Sequence, residues 1–206
     1  MHTFRYGKTE LDHLKKRDAK LGSAIDTIGM IERNVTPDLF VALVASVASQ
    51  QISAKAAETV WRRMEEKFQA ITPSSIAGTT PEEIQQCGMS MRKAGFIRGI
   101  GDAVCNGSLD LEELPELSDE EVITRLSALN GVGVWTAEML LIFSMERPDV
   151  VSWGDLAIRR GMMQLYKKSS IDRTAFERYR KRYSPYGSVA SLYLWEISHR
   201  SEWDKP

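Results

Sequence analysis

The stretch Leu129–Gly161 reads LNGVGVWTAEMLLIFSMERPDVVSWGDLAIRRG, and the rest of the chain is interpreted outward from it. It holds a glycine turn, Gly131-Val132-Gly133, between two segments with helical patterns. An apolar helical run and a loop with one proline follow, and Asp155 opens a further helix. A tight turn, an aromatic wall and a carboxylate therefore lie within one short stretch, and the rest of the sequence decides whether they belong to one site.

The composition limits the class of protein. The chain has 206 residues and is 43% hydrophobic, enough for one core or for two small lobes that share a site. Lys+Arg is 27 and Asp+Glu is 28, so any nucleic-acid binding needs basic residues concentrated on one face. The 2 cysteines are too few for a disulfide framework or a four-cysteine iron–sulfur cluster. They indicate thiols in a reducing compartment.

The N-terminal segment is too charged for a signal peptide. The longest apolar run, residues 39–48, is about half of a membrane span. These patterns predict an intracellular protein that is not inserted in a membrane.

Helical signals dominate the whole chain. Charged and apolar spacings predict helices over residues 9–20 and 22–33, and Thr36 with Pro37 reads as the cap of a buried helix over 38–49. Further expected N-caps are Ser53, Thr80, Ser90 and Ser118. A basic helix is expected near 172–182 and an apolar one over 188–198. No convincing strand pattern appears, so the sequence predicts an all-α fold of about ten helices.

The glycine turn favours contact with a phosphate backbone. Its second helix begins with unpaired N–H groups, which together with the helix dipole attract a phosphate oxygen. A plain helix–turn–helix connection is the alternative. Apolar Leu129 and Val132, which pack such a hairpin, and the Thr136-Ala137 continuation favour binding to the DNA backbone.

Asp155 has two compatible readings. Aspartate is a preferred N-cap and Gly154 suits a turn, so local sequence alone favours a helix cap. A carboxylate fixed at a helix start also has a defined direction, as a catalytic acid requires. The cap and the catalytic acid can therefore be the same residue.

Three motifs in order resemble those of a known family. They are Ser49–Ala57 (SQQISAKAA), Gly131–Glu138 (GVGVWTAE) and Tyr186–Trp195 (YGSVASLYLW). Together with an aspartate downstream of the hairpin, they resemble the helix-hairpin-helix (HhH-GPD) DNA glycosylase superfamily, and within it the DNA-3-methyladenine glycosylase II branch. The resemblance implies two helical lobes with an active-site cleft between them. It also implies one catalytic domain over residues 1–206, without the N-terminal β domain of larger members.

The resemblance assigns roles residue by residue. Asp155 matches the catalytic aspartate. Bifunctional relatives carry a nucleophilic lysine where this chain has Trp135, so no Schiff base is expected and the enzyme should be monofunctional. The backbone-binding hairpin comprises Gly131, Val132, Gly133, Val134 and Thr136.

Other matched positions surround the base and the gap that it leaves. Trp135 and Trp195 match aromatic walls of the base pocket, Gln50 its edge, and Gln51 the wedge that enters the DNA stack. For Trp195, core packing is the alternative. For Trp153, which has no strong match, a pocket role and loop packing stay equally open.

Cofactor and partner expectations follow from the same resemblance. Main-chain carbonyls of Ser127, Leu129 and Val132 match a site for Na⁺ or K⁺ in the hairpin. No catalytic cofactor and no iron–sulfur cluster are expected. The expected partner is double-stranded DNA with damaged bases, bound by a monomer in the cytoplasm, or in the nucleus of a eukaryote.

The implied reaction is the hydrolytic removal of alkylated purines such as 3-methyladenine and 7-methylguanine in base excision repair. A protein that binds lesions without cutting is one alternative. A second is a glycosylase for deaminated bases such as hypoxanthine or uracil, or for mismatched thymine. Oxidised guanine fits less well because Trp135 replaces the lysine. An all-α interaction protein does not account for three ordered motifs.

Overall fold

The computed structural model describes residues 2–200. These form two compact units, and the division falls within one helix. The first unit combines the chain up to Val35 with the chain from Leu141 onward, and the second unit is Thr36–Leu140.

The described residues are mainly helical, as predicted. The α-helices are α1 Lys8–Arg17, α2 Ala19–Ile28, α3 Leu39–Ser49, α4 Ala54–Phe68, α5 Pro73–Ala77, α6 Pro81–Gln85, α7 Met91–Cys105, α8 Asp119–Ser127, α9 Val134–Phe143, α10 Leu156–Tyr166, α11 Arg173–Tyr183 and α12 Gly187–His199. A 3₁₀ turn covers Leu114–Glu116. Two-residue strands β1 His2–Thr3 and β2 Asn34–Val35 pair antiparallel, with His2 opposite Val35. The all-α prediction is confirmed, with this small ribbon as an addition.

Most of the expected helix starts are confirmed because capping depends on neighbouring residues alone. The hydroxyls of Ser53, Thr80, Ser90 and Ser118 each accept a bond from a backbone N–H three residues on. At Thr80 and Ser118 a glutamate returns the bond and closes a capping box.

Three boundaries near the N-terminus differ from the sequence prediction. The expected helix 9–20 is interrupted at Asp18, which is extended and caps α2 instead. The expected helix 22–33 ends at Ile28, because Gly29 takes a positive φ of 78°. Asp38 rather than Thr36 caps α3, since its carboxylate accepts from the N–H of Val41.

In the first unit, α12 is the central helix and packs on α10, α2, α1 and α11. Its contact with α10 is close. A Cβ added at Gly161 would lie 2.1 Å from the carbonyl oxygen of Leu194, so only glycine fits there. This approach fixes the position of α10, the helix that Asp155 begins.

In the second unit, α7 packs on α3, α5 and α6, and α3 also packs on α4. Ile76, Ile97 and Leu43 are among its buried apolar side chains. The loop after α3 and the loop between α8 and α9 both belong to this unit.

No helix within residues 2–200 has both the length and the apolar character needed to cross a membrane.

Candidate active site

The hairpin between α8 and α9 turns at Gly131. Its φ is +87°, and an added Cβ would lie 2.3 Å from the Phe96 ring. Both backbone conformation and space therefore require glycine at this position. Buried Val132 closes the turn, since its N–H donates to the carbonyl of Leu129 at 3.2 Å.

Gly133 differs from Gly131, although the sequence suggested that both glycines serve the turn. It does not adopt a positive φ, and an added Cβ would meet nothing within 4 Å. The fold itself therefore does not require glycine at 133. A residue without a side chain here leaves open space directly before α9.

The first turn of α9 exposes apolar surface. Val134 is 54% exposed and Trp135 is 46% exposed, whereas Thr136 is buried. Because Trp135 is exposed and follows the glycine turn, its ring offers a flat surface on which an aromatic ligand can stack.

Gln50 and Gln51 follow the end of α3. The Gln50 side-chain amide donates to the carbonyl of Gly131 at 2.8 Å, so this loop is tied directly to the hairpin. The side chain of Gln51 is exposed, and its φ of +57° lies in the left-handed region that residues other than glycine rarely adopt. Local strain of this kind is common at ligand-binding positions.

Asp155 caps α10, as the local sequence predicted. Its Oδ1 accepts from the N–H groups of Ala157 at 2.8 Å and Ile158 at 2.9 Å. The residue is only 8% exposed. Two backbone donors thus fix the direction of a carboxylate that has little contact with solvent.

The loop before Asp155 is held by the start of α12. The Asp149 carboxylate accepts from the N–H of Gly187 at 3.0 Å and from the Ser184 hydroxyl at 2.6 Å. A Cβ at Gly187 would lie 2.6 Å from Asp149 Oδ1, so the contact needs glycine.

Two buried serines of α12 complete this attachment. Ser188 Oγ donates to the carbonyl of Arg147 at 2.5 Å and accepts from the N–H of Val150 at 3.0 Å. Ser191 Oγ donates to the carbonyl of Val150 at 2.9 Å. The motif Tyr186–Trp195 flagged this segment, but the role of its serines could not be read from the sequence because their partners are distant in the chain.

The Trp153 ring packs against two arginine side chains and one phenylalanine. The guanidinium carbons of Arg159 and Arg173 lie 4.8 Å and 5.3 Å from its ring centroid, and Phe176 meets it edge-on at 5.1 Å. These contacts favour the loop-packing alternative for Trp153. They also link the loop before Asp155 to α10 and α11.

Trp195 is 8% exposed and packs beside Phe143, with ring centroids 5.5 Å apart. It lies in the first unit with Asp155, whereas Trp135, Gln50 and Gln51 lie in the second.

The carbonyl oxygens expected to bind a monovalent cation belong to one short segment, from the last residue of α8 to the glycine turn. Leu129 accepts one bond, from Val132, and a carbonyl oxygen keeps a second lone pair. The buried hydroxyl of Ser127 has no hydrogen-bond partner. Oxygen donors from adjacent turns fit a hard cation. Within residues 2–200 no group of three or more His, Cys, Asp or Glu side chains is arranged to hold a metal.

The chain matches a protein family over most of its length and is similar to several proteins of related name. The model of the HhH-GPD superfamily base excision DNA repair protein matches residues 44–185. DNA-3-methyladenine glycosylase 1 of Schizosaccharomyces pombe is 36% identical over 169 residues, which cover 80% of this chain and 74% of that protein.

Two solved structures are similar over almost the whole chain. The crystal structure of a DNA-3-methyladenine glycosidase from Bacillus halodurans has a TM-score of 0.86 at 34% identity, over 98% of this chain and 94% of that one. A 3-methyladenine DNA glycosylase of S. pombe in complex with abasic DNA has a TM-score of 0.78 at 31% identity, over 92% and 96% of the two chains.

Proposed function

Since the chain belongs to the HhH-GPD superfamily of base excision DNA repair proteins, we propose that it is a DNA-3-methyladenine glycosylase. It removes alkylated purines from double-stranded DNA by hydrolysing the N-glycosidic bond. The likeness to the S. pombe and B. halodurans enzymes supports this activity. The similar S. pombe structure contains abasic DNA, which supports DNA as the partner.

The observation that carries the catalytic assignment is the fixed carboxylate of Asp155. Breaking the glycosidic bond builds positive charge on the sugar, and a carboxylate stabilises such an oxocarbenium-like state. The backbone bonds from Ala157 and Ile158 hold Asp155 in one orientation before DNA binds. A preorganised charge of this kind needs no rearrangement during the reaction. Asp155 also orients the attacking water.

The hairpin binds the DNA backbone. The phosphate lies against the amides that open α9, and the absence of a side chain at Gly133 allows the close approach. Val132, Val134 and Thr136 complete this surface. Such contacts fix the position of the duplex without reading its sequence.

Gln51 enters the stack as the damaged nucleotide rotates out, and its amide bonds the base left unpaired. Gln50 lines the edge of the pocket. Trp135 and Trp195 contact the extruded base, and Trp153 takes the packing role described above. A 3- or 7-alkylated purine carries a positive charge, which aromatic faces attract and which also makes the base a good leaving group.

The reaction stops at an abasic site. Trp135 occupies the place of the lysine that bifunctional relatives use, so no amine attacks the sugar there and no strand is cut. The carbonyls of Ser127, Leu129 and Val132 would hold a bound Na⁺ or K⁺, which would supply positive charge and stiffen the hairpin. The enzyme acts as a monomer on DNA inside the cell.

The test uses duplexes that each carry one defined lesion, and it measures free base and strand breaks separately. We expect release of 3-methyladenine and 7-methylguanine, with breaks only after alkali. Tight binding of lesions without base release would support the non-catalytic alternative. Release of uracil or hypoxanthine alone would favour a glycosylase for deaminated bases.

A further inference from the structure

Lys93 occupies an unfavourable position for a cation in its own helix. It lies in the first turn of α7, where its N–H donates to the Ser90 cap at 3.3 Å. The N-terminal end of a helix carries partial positive charge, so an ammonium group there is unfavourable. The position of Lys93 is therefore not explained by the stability of α7.

The Lys93 ammonium group lies at the C-terminal end of another helix, α3, where a cation is favourable. It donates to the carbonyl of Ala48 at 2.9 Å and to the carbonyl of Gln50, both at the C-terminal end of α3. Carbonyls at this end lack helical partners and carry partial negative charge. Burial lowers the pKa of Lys93, which indicates that the ammonium group has given up solvent to make these bonds.

The bond to Gln50 acts directly on the loop of residues 50–53 between α3 and α4, here called the wedge loop because it carries Gln51, the proposed wedge. Gln50 is followed at once by Gln51, whose left-handed φ of +57° must be maintained by its surroundings. Lys93 fixes the carbonyl of the peptide that leads into this conformation. The Gln50 side chain in turn binds the carbonyl of Gly131 at 2.8 Å. Lys93, Gln50 and Gly131 thus form one chain of contacts from α7 through the wedge loop to the hairpin, all within the second unit.

We propose that Lys93 is a positioning residue for insertion of the Gln51 wedge into DNA. It holds Gln51 in its left-handed backbone conformation and joins the wedge loop to the hairpin. The proposal rests on the proposed function, because it assumes that Gln51 enters the stack. Lys93 touches neither the damaged base nor the sugar. Its effect is therefore confined to the step in which the nucleotide leaves the helix.

The test compares Lys93→Met and Lys93→Arg on two substrates, a lesion in a fully paired duplex and the same lesion in a single-stranded bulge. We expect Lys93→Met to slow base release from the paired duplex by about tenfold to a hundredfold, as for other losses of positioning. On the bulge, where the nucleotide is already unstacked, its rate should stay within about threefold of wild type. Lys93→Arg, which keeps a cationic donor, should restore most of the rate on paired DNA.

Two controls separate positioning from loss of folding. Lys67→Met removes an exposed lysine of α4 and should leave both rates unchanged. In a Gln51→Ala background, Lys93→Met should reduce the rate of base release from paired DNA only slightly further, because both changes disable the same step. An equal loss on both substrates, or full additivity with Gln51→Ala, would overturn the proposal.

A chemistry-independent readout distinguishes this proposal from the proposed function. With 2-aminopurine beside an abasic-site analogue, insertion of the wedge changes the fluorescence without any bond being broken. Failure of the wild-type protein to release a base would refute the proposed function alone. An unchanged fluorescence response in Lys93→Met would refute the positioning role alone.

Discussion

Gly131 and Gly133 are two residues apart, yet the structure assigns them different physical roles. Gly131 meets the Phe96 ring and needs a positive φ, whereas Gly133 meets nothing. The first is required by the fold, and the second leaves room for a ligand.

This contrast predicts opposite outcomes for two alanine substitutions. Gly131→Ala should lower the free energy of unfolding by about 1–3 kcal/mol through overpacking and backbone strain. Gly133→Ala should change stability by less than about 0.5 kcal/mol and weaken binding to undamaged duplex DNA. Urea unfolding and fluorescence anisotropy measure the two effects. Normal DNA affinity in Gly133→Ala would show that no phosphate approaches at this residue.

Trp135 and Trp195 differ in burial, so alanine substitutions at the two positions should differ in their effect on stability. Trp135→Ala should cost less stability than Trp195→Ala, because the Trp135 side chain is 46% exposed. Trp135→Ala should also remove about 1–3 kcal/mol of stacking energy with the base, which corresponds to a rate of base release lower by roughly fivefold to 150-fold. Trp195→Ala should cost about 3–5 kcal/mol of stability, since Trp195 is 8% exposed. Thermal unfolding and single-turnover base release test both variants, and a fully active Trp135→Ala would remove Trp135 from the pocket.

At the scale of elements, the loop before Asp155 depends on α12. Ser188→Ala would leave the buried N–H of Val150 and carbonyl of Arg147 without this partner, at a cost of about 1–3 kcal/mol. We expect lower stability together with a slower rate of base release, because the loop leads to the catalytic residue.

The matched control is Ser74→Ala, which changes an exposed serine of α5 and should alter neither property. Urea unfolding and base release are measured on both variants. A destabilised Ser188→Ala with a wild-type rate at low temperature would show that the loop does not set the position of Asp155.

The elements predicted from the sequence are those determined by local contacts. Ser53, Ser90 and Ser118 were identified as caps because a cap bonds to residues within the next turn. The sequence did not predict that the first helix would be interrupted at Asp18, because two of the groups that bind this side chain lie far along the chain. Its carboxylate caps α2 and also accepts from Tyr166 at 2.7 Å and Arg182 at 3.0 Å.

The same distinction applies to the site. Asp155 and the glycine turn were identified from local sequence and resemblance. The bonds of Gln50 to Gly131, Lys93 to Ala48 and Ser188 to Arg147 join segments that only the folded chain brings together. No sequence pattern of period two or 3.6 reports such contacts.

At the scale of the whole molecule, buried tyrosines should determine stability at high pH. Burial raises the pKa values of Tyr166, Tyr183 and Tyr193 above the ordinary value of 10.0. The folded state therefore holds these protons more tightly than the unfolded state, so stability is retained below about pH 10 and falls as the pH rises further.

Tyr183→Phe should reduce the slope of this alkaline loss, because it removes one such proton. Urea unfolding at a series of pH values from 8 to about 11.5 measures the slope. The same slope in wild type and variant would show that Tyr183 does not contribute to it.

The central claim is that Asp155 is the catalytic carboxylate of a monofunctional alkylpurine glycosylase. Asp155→Asn tests it most directly, because asparagine caps a helix nearly as well as aspartate but carries no charge. Asp172→Asn makes the same change at the cap of α11 and serves as the control. Single-turnover release of 7-methylguanine from a methylated duplex is the measurement. We predict that Asp155→Asn folds normally and loses at least about a hundredfold in rate, while Asp172→Asn retains the wild-type rate. A folded Asp155→Asn variant that releases the base at the wild-type rate would contradict the claim.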